Sequence, residues 1–235
     1  MPEFCKWNNY TIGSIPWILN RADHPHRQVF INYALEHAQS VLEIGAGELI
    51  EYQEISKKKN IDYAIVDVSD LFIENCKTNW PDVTCYKSPM EDMDQLPFLE
   101  KSFDIVYGAS VIEHSRDVRR SIANIIRMGK MFHVVMFKWS FLGNLKSHFK
   151  KKKQYYSSYF NIFNILDIFD DMASVEYCDI IDPEDGSRMN FFEYYELQKR
   201  NEFLGIWTRG DLKGRTNNNL FHRNGKYLMI HGEAK

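Results

Sequence analysis

The 235-residue chain predicts an α/β fold, a mostly parallel sheet covered by helices on both faces, on three observations. Short apolar runs suited to buried strands alternate with segments whose apolar residues recur at helical spacing. The first of these runs, Ser40 to Ile44, leads straight into a turn carrying two closely spaced glycines, Gly45 and Gly47. Such glycines let a strand-to-helix turn adopt positive φ and let a ligand approach bare backbone. Finally, 44% of the residues are hydrophobic, which suits one sizeable domain with a substantial core.

The elements follow in order. Residues 27–38 read as a helix with Val29, Phe30, Tyr33 and Ala34 on one face. After the first strand, Glu48 to Lys59 reads as a helix whose basic last turn complements the helix dipole. Ile61 to Val68 is a second strand ending at Asp67; Asp70 can cap the helix that follows, and Pro81 terminates it. Val83 to Tyr86 and Phe103 to Tyr107 are the third and fourth strands, the latter closing on Gly108, Ala109 and Ser110. Asp117 to Met128 carries Val118, Ile122, Ile125 and Ile126 in one helical stripe. Met131 to Phe137 is a fifth strand, apolar apart from His133. Ile162, Ile165, Phe169 and Met172 mark another helix, Val175 to Ile181 a sixth strand and Lys226 to His231 the last. Two stretches, 138–160 and 182–225, exceed ordinary connections, and long connections in a compact domain are commonly lids or binding loops. Within the second, Arg188 to Arg200 reads as an amphipathic lid helix. Neither a repeat nor a domain boundary is visible.

A formal net charge of −3 and a pI near 6.2 argue against bulk nucleic acid as the main partner, and DNA is not expected. Cys5, Cys76, Cys85 and Cys178 form no C-x-x-C pair, so they read as reduced structural thiols rather than a zinc site or a disulfide framework. His24 and His26 have no accompanying Cys or Asp cluster, and no metal is expected. The absence of an early apolar leader and of a bilayer-length apolar run leads to the expectation of a soluble, cytoplasmic protein.

In an open parallel sheet, ligands sit outside the carboxyl ends of the strands. Four segments bring polar groups there: Glu43 to Glu48, Asp67 with Val68, Ser88 to Asp92, and Gly108 to His114. An acidic residue about 20 positions past the glycines, as Asp67 is, also marks dinucleotide folds, where it holds ribose hydroxyls. The loop Gly45 to Ile50 lacks the third glycine of that pattern, however, and Glu43 and Glu48 would repel a pyrophosphate. A cationic ligand suits this mouth better.

Taken together, Val41 to Gly47 (VLEIGAG), Ile65 to Asp67, Met90 and Glu91, Leu96 to Phe98, Ser102 to Val106 and Ser110 to His114 (SVIEH) resemble the class I S-adenosylmethionine-dependent methyltransferases. The resemblance runs in order across about residues 28–137. It implies a Rossmann-like fold with a seven-stranded, mostly parallel sheet, the last strand antiparallel, and S-adenosyl-L-methionine as cofactor. It further implies that Glu43 lies near the methionine end and that Gly45, Ala46 and Gly47 offer backbone contacts. Asp67, with Val68 beside it, would hold the ribose hydroxyls, Met90 and Glu91 would flank the adenine, and Ser110 would line the floor near the sulfonium. The sequence departs from the family pattern at Leu49, where a third glycine is usual, and at Pro89, where an acidic residue is usual, so adenine N6 recognition shifts to Glu91, Asp92 or backbone. His114 is the candidate general base, the alternative being a helix-start histidine bonded to backbone.

This reading divides a single methyltransferase domain, 1–235, into an N-terminal cap (1–26, with Trp7, Tyr10, Trp17, His24 and His26), a cofactor-binding core (27–137) and two substrate-lid insertions (138–160 and 182–225). The expected acceptor is an oxygen or nitrogen of a small biosynthetic intermediate. The Lys150 to Lys153 run, with Tyr155, Tyr156 and Tyr159 beside it, suggests a phosphate-bearing, sugar- or nucleotide-linked one, or else a solvated face. An RNA methyltransferase using the same lysines, and a cofactor-binding protein without transferase activity, are the alternatives.

Overall fold

The structure is a computed structural model that describes residues 11–12, 22–137, 139–140, 160–182, 186–196 and 227–235. The cap aromatics Trp7, Tyr10 and Trp17, the Lys150 to Lys153 run with its tyrosines, and most of the second insertion lie outside the described residues.

The chain runs α1 (Pro25–His37), β1 (Ser40–Ile44), α2 (Ile50–Ser56), β2 (Asp62–Asp67), α3 (Asp70–Asn79) and β3 (Thr84–Lys87). A 3-10 helix (Met90–Gln95) leads to β4 (Phe103–Ala109), and a second one (Ile112–His114) leads to α4 (Val118–Met128) and β5 (Gly129–Met136). Then come β6 (Trp139–Ser140), β7 (Phe160–Asn161), α5 (Ile162–Met172), β8 (Ala173–Ile181), β9 (Arg188–Asn190), a helical turn over 191–196, and β10 (Tyr227–Ala234).

One sheet has the order β3-β2-β1-β4-β5-β10-β8-β9. The pairs from β3 to β5 are parallel, and β10 is antiparallel to both β5 and β8. Chain order reverses between β1 and β4, so the crevice at their carboxyl ends is the switch point where a ligand is expected. All seven strands expected from sequence are present, the last antiparallel. The sheet has one more, β9, paired antiparallel with β8, and β6 and β7 form a separate parallel pair.

Both sheet faces are buried. On one, Ile122 and Ile125 of α4 and Phe169 of α5 pack on Val106, Phe132 and Ile230; on the other, Phe30, Ile31 and Ala34 of α1 pack on Val41, Tyr107 and Val135. Double coverage explains why the strands are nearly continuous apolar runs rather than alternating ones.

Three local expectations are corrected. Arg188 to Arg200 does not begin as a helix: Arg188–Asn190 is a strand, because Arg188 reaches across to Asp179 and ties the hairpin shut (2.6 Å), and helix begins only at residue 191. The helix expected over Glu48 to Lys59 is shorter, and its lysines do not serve its own dipole. Lys59 instead donates to the carbonyls of Leu35 and Ala38 at the end of α1. Ser69 rather than Asp70 is the cap residue of α3, whose last residue is Asn79, two before Pro81. Among the described residues no helix is long and apolar enough to cross a membrane.

Candidate active site

The turn after β1 is built around its two glycines. Gly45 has φ +66°, and a Cβ there would lie 2.4 Å from Cγ1 of Val111, so the loop after β4 packs directly on the bare backbone. Gly47 has φ +56° with open space where a side chain would point. The first glycine thus serves packing, and the second exposes backbone to a cleft. Leu49, at the place of the missing third glycine, keeps the left-handed conformation (φ 56°) while its side chain is fully buried in the α1-side core. That backbone costs about 1–2 kcal/mol in a non-glycine residue, and the burial of Leu49 offsets it.

β2 delivers Asp67 to this turn. Its carboxylate accepts hydrogen bonds from the amides of Gly47 (3.3 Å) and Ser69 (2.9 Å), which lock the two loops together. Burial nevertheless lifts its pKa to about 6. After β3, the carbonyls of Met90 and Glu91 accept from the side chain of Asn124 on α4 (2.9 and 3.0 Å). The Glu91 carboxylate accepts from the Ser115 hydroxyl (3.3 Å) and the Arg116 amide, tying this loop to the one after β4. Ser110 then adopts φ 56°, unusual for a non-glycine residue, and its amide donates to the Val135 carbonyl (2.8 Å). Backbone strain of this kind concentrates at ligand-binding sites. Glu113, fully buried, accepts from the Phe137 amide (2.6 Å) and so joins the ends of β4 and β5.

These loops line an open cleft whose space, counted out to solvent, is about 1060 Å³. All ten residues singled out from sequence line it: Glu43, Gly45, Ala46, Gly47, Asp67, Val68, Met90, Glu91, Ser110 and His114. Two charged lining residues, Arg27 of α1 and Glu51 of α2, were not foreseen. They form a buried ion pair, and Tyr107 donates to Glu51 Oε1 (2.9 Å). A signal existed: Arg27 stands three, four and seven positions before the buried Phe30, Ile31 and Ala34, and Glu51 four before the buried Ile55. Glu43, 3% exposed, accepts from the Tyr63 hydroxyl (2.7 Å), and burial, with Glu51 next to it, raises its pKa well above the carboxylate range. The mouth is therefore less anionic than the sequence suggests. Arg27 is the one Lys or Arg among the described lining residues, and it pairs with Glu51.

The remaining expectations concern residues away from the cleft. His24 and His26 pack against Tyr227 rather than a ligand, and among the described residues no three metal-ligating side chains converge. Cys76, Cys85 and Cys178 are free thiols, and Cys5 lies outside the described residues.

Residues 42–131 match the family model described as "Methyltransferase domain". No curated protein sequence matches the chain. Solved structures do resemble it in fold. One is a Thermotoga maritima S-adenosylmethionine-dependent methyltransferase, described as a possible histamine N-methyltransferase (15% identity, TM-score 0.58, 99% of this chain and 100% of that one covered). Another is the Burkholderia thailandensis 1,6-didemethyltoxoflavin-N1-methyltransferase with bound 1,6-didemethyltoxoflavin and S-adenosylhomocysteine (12%, 0.60, 95% and 83%). A third is a Haemonchus contortus phosphoethanolamine N-methyltransferase with phosphomonomethylethanolamine and S-adenosylhomocysteine (18%, 0.63, 99% of this chain and 59% of that one). With the sheet order and the cleft at its switch point, these likenesses give the chain the fold of the class I S-adenosylmethionine-dependent methyltransferases, the methyltransferase-domain match itself spanning residues 42–131.

Proposed function

We propose that this enzyme moves a methyl group from S-adenosylmethionine to an oxygen or nitrogen of a small acceptor, with the cofactor held in the cleft at the carboxyl ends of β1, β2 and β4. The observation carrying the reading is that the glycine turn, Asp67, the Met90–Glu91 loop and the Ser110 to His114 segment all face one cleft, though they come from four separate stretches of chain. When bound, the cofactor supplies a methyl group on a positively charged sulfur.

The chain's own residues supply position and charge. Asp67, partly desolvated yet with lone pairs beyond those taken by Gly47 and Ser69, accepts from the two ribose hydroxyls. Gly45, Ala46 and Gly47 would offer backbone to the cofactor, with Glu43 toward its amino-acid end and Val68 toward the ribose. Met90 packs on the adenine. The Glu91 carboxylate, already holding Ser115 and Arg116, shapes that wall rather than reading the base, which leaves the amino group to backbone or to Ser88. Ser110 borders the sulfonium. His114, on the same wall, accepts the proton of the acceptor. Because methyl transfer is an in-line displacement, positioning carries much of the rate.

The acceptor is small and phosphate-bearing in this reading, which rests on the Lys150 to Lys153 run and on the phosphate-bearing amine bound by the Haemonchus enzyme. Two-substrate turnover tests it. Incubation with S-adenosylmethionine and a panel of phosphorylated amines, sugars and nucleotide-linked metabolites, read by mass spectrometry, should yield one methylated product. His114→Gln should lower kcat by 10²-fold or more. Cofactor binding with no methylated product across the panel would overturn the transferase reading.

A further inference from the structure

Beneath the glycine turn, the cleft floor buries three charged or ionisable side chains together. Arg27, Glu43 and Glu51 are 7%, 3% and 1% exposed, and all three line the cleft. Every element packed here contributes a titratable group. Arg27 of α1 pairs with Glu51 of α2; Tyr107 of β4 donates to Glu51; Tyr63 of β2 donates to Glu43. The Cys76 thiol of α3 also faces Glu43, and burial holds that thiol protonated. The second oxygen of Glu51 is buried with no hydrogen-bond donor. Two carboxyl groups thus lie within reach of each other around a single guanidinium. One guanidinium cannot balance two buried carboxylates, so the pair retains a proton, as like-charged neighbours do. Arg27 and Tyr107 both reach Glu51, whereas burial and the neighbouring carboxyl raise the pKa of Glu43, which therefore carries the proton of the pair. With one proton on the pair, the charges of Arg27, Glu43 and Glu51 sum to zero.

We propose that Glu51 is a positioning residue of the cofactor site, and that the Glu43–Glu51 pair exchanges its proton for the positive charge of S-adenosylmethionine. Loading the cofactor would expel the proton, and loss of the sulfonium charge on methyl transfer would recover it. This rests on the cleft being the cofactor site. The charges balance. S-adenosylmethionine carries an ammonium, a carboxylate and a sulfonium, so a floor that gives one proton to solvent ends neutral with the cofactor in place. S-adenosylhomocysteine has lost the sulfonium charge. A floor still deprotonated around it holds one uncompensated negative charge, which protonation of Glu43 relieves. By linkage, protons weaken the binding of S-adenosylmethionine and leave that of S-adenosylhomocysteine nearly unchanged, and Glu51 makes this work by holding Arg27 while Glu43 stays protonated in the cofactor-free protein.

Isothermal titration in two buffers of different ionisation enthalpy, at pH 7 and above where Asp67 with its value of about 6 is already ionised, measures the exchange. For S-adenosylmethionine the wild type should release close to one proton, and its Kd should fall as pH rises from 7. S-adenosylhomocysteine should release markedly less. Glu43→Gln, which keeps the shape of the side chain and its bond to Tyr63, should abolish the release and flatten the pH dependence. Glu51→Gln should do the same and also weaken binding of both ligands by removing the partner of Arg27. If Glu51→Gln does not fold, Glu43→Gln decides alone. Tight binding with equal proton release in wild type and Glu43→Gln would overturn the proposal and leave the cofactor site standing; no binding of either ligand to the wild type would overturn both.

Discussion

Under α1 the protein buries two groups of titratable side chains, a few strands apart. At the carboxyl edge of the sheet, Arg27, Glu43 and Glu51 keep their polarity by pairing: every one touches an opposite charge, a phenol or a shared proton. In the middle of the sheet, His133 on β5 and His231 on β10 face each other across the register, both fully buried, among Phe30, Tyr33, Tyr107 and Tyr177. His133 has no hydrogen-bond partner, and burial pushes its pKa well below the ordinary value; that of His231 falls to about 4, although Glu176 lies 3.4 Å away. The histidines are tolerated by being neutral, the edge cluster by being compensated. A compensated cluster can exchange charge with a ligand, whereas a neutral one can only be harmed by gaining charge. The first lines the cleft and the second does not.

The largest effect should follow from breaking the compensation. Arg27→Met leaves Glu51 buried without its cation, and urea denaturation should register a loss of about 3–5 kcal/mol, with cofactor binding lost as well. A loss under 1 kcal/mol would mean that Arg27 is not the counter-charge.

The histidine pair should show itself in pH dependence. The unfolded chain binds protons at these imidazoles below about 6.5, while the folded form resists them. Stability therefore falls as pH drops beneath 6.5, for His231 down to about 4, at up to about 1.4 kcal/mol per unit for each group. Glu43 and Asp67 act in the opposite sense: their raised folded pKa values mean the fold holds protons the unfolded chain has lost, for Asp67 between about 4 and 6. His133→Leu should reduce the stability lost between pH 7 and pH 5 by roughly 1–2 kcal/mol. Chemical denaturation at the two pH values measures this, and an unchanged difference would assign the acid sensitivity elsewhere.

The smallest effect probes one hydrogen bond. Tyr63→Phe removes the donor to Glu43 and should cost about 1–2 kcal/mol in the same assay; a neutral outcome would mean that Glu43 finds another donor at once.

The contrast between the two clusters also explains what the sequence disclosed. The strands from β1 to β5 were legible because both faces of the sheet are covered, so each reads as an apolar run, and His133 stood out as the exception within one. The cleft residues were legible because they lie in order along the chain at strand ends. What escaped depended on partners far away in sequence. Arg27 and Glu51 are 24 positions apart, and nothing local announces that they meet. β9 was read as helix because only its pairing with β8 makes it a strand. Leu49 departs from the glycine pattern, and only its burial explains how the turn keeps its shape. Glu91 looked ligand-facing, but its carboxylate is committed to Ser115 and Arg116. Asp104, inside β4, is by contrast a structural carboxylate that accepts from the amides of Gln39 and Ser40 and from Lys130, whose hydrogen bond lowers its pKa.

The central claim is that the cleft between β1, β2 and β4 holds S-adenosylmethionine by way of Asp67. Titrating S-adenosylhomocysteine into the wild type and into Asp67→Ala, side by side at pH 7.5, tests it most directly. Saturable binding to the wild type at one site, weakened at least tenfold in Asp67→Ala while both proteins melt cooperatively, is the result this account predicts. Equal affinity in the two proteins, or no binding to a folded wild type, would contradict it.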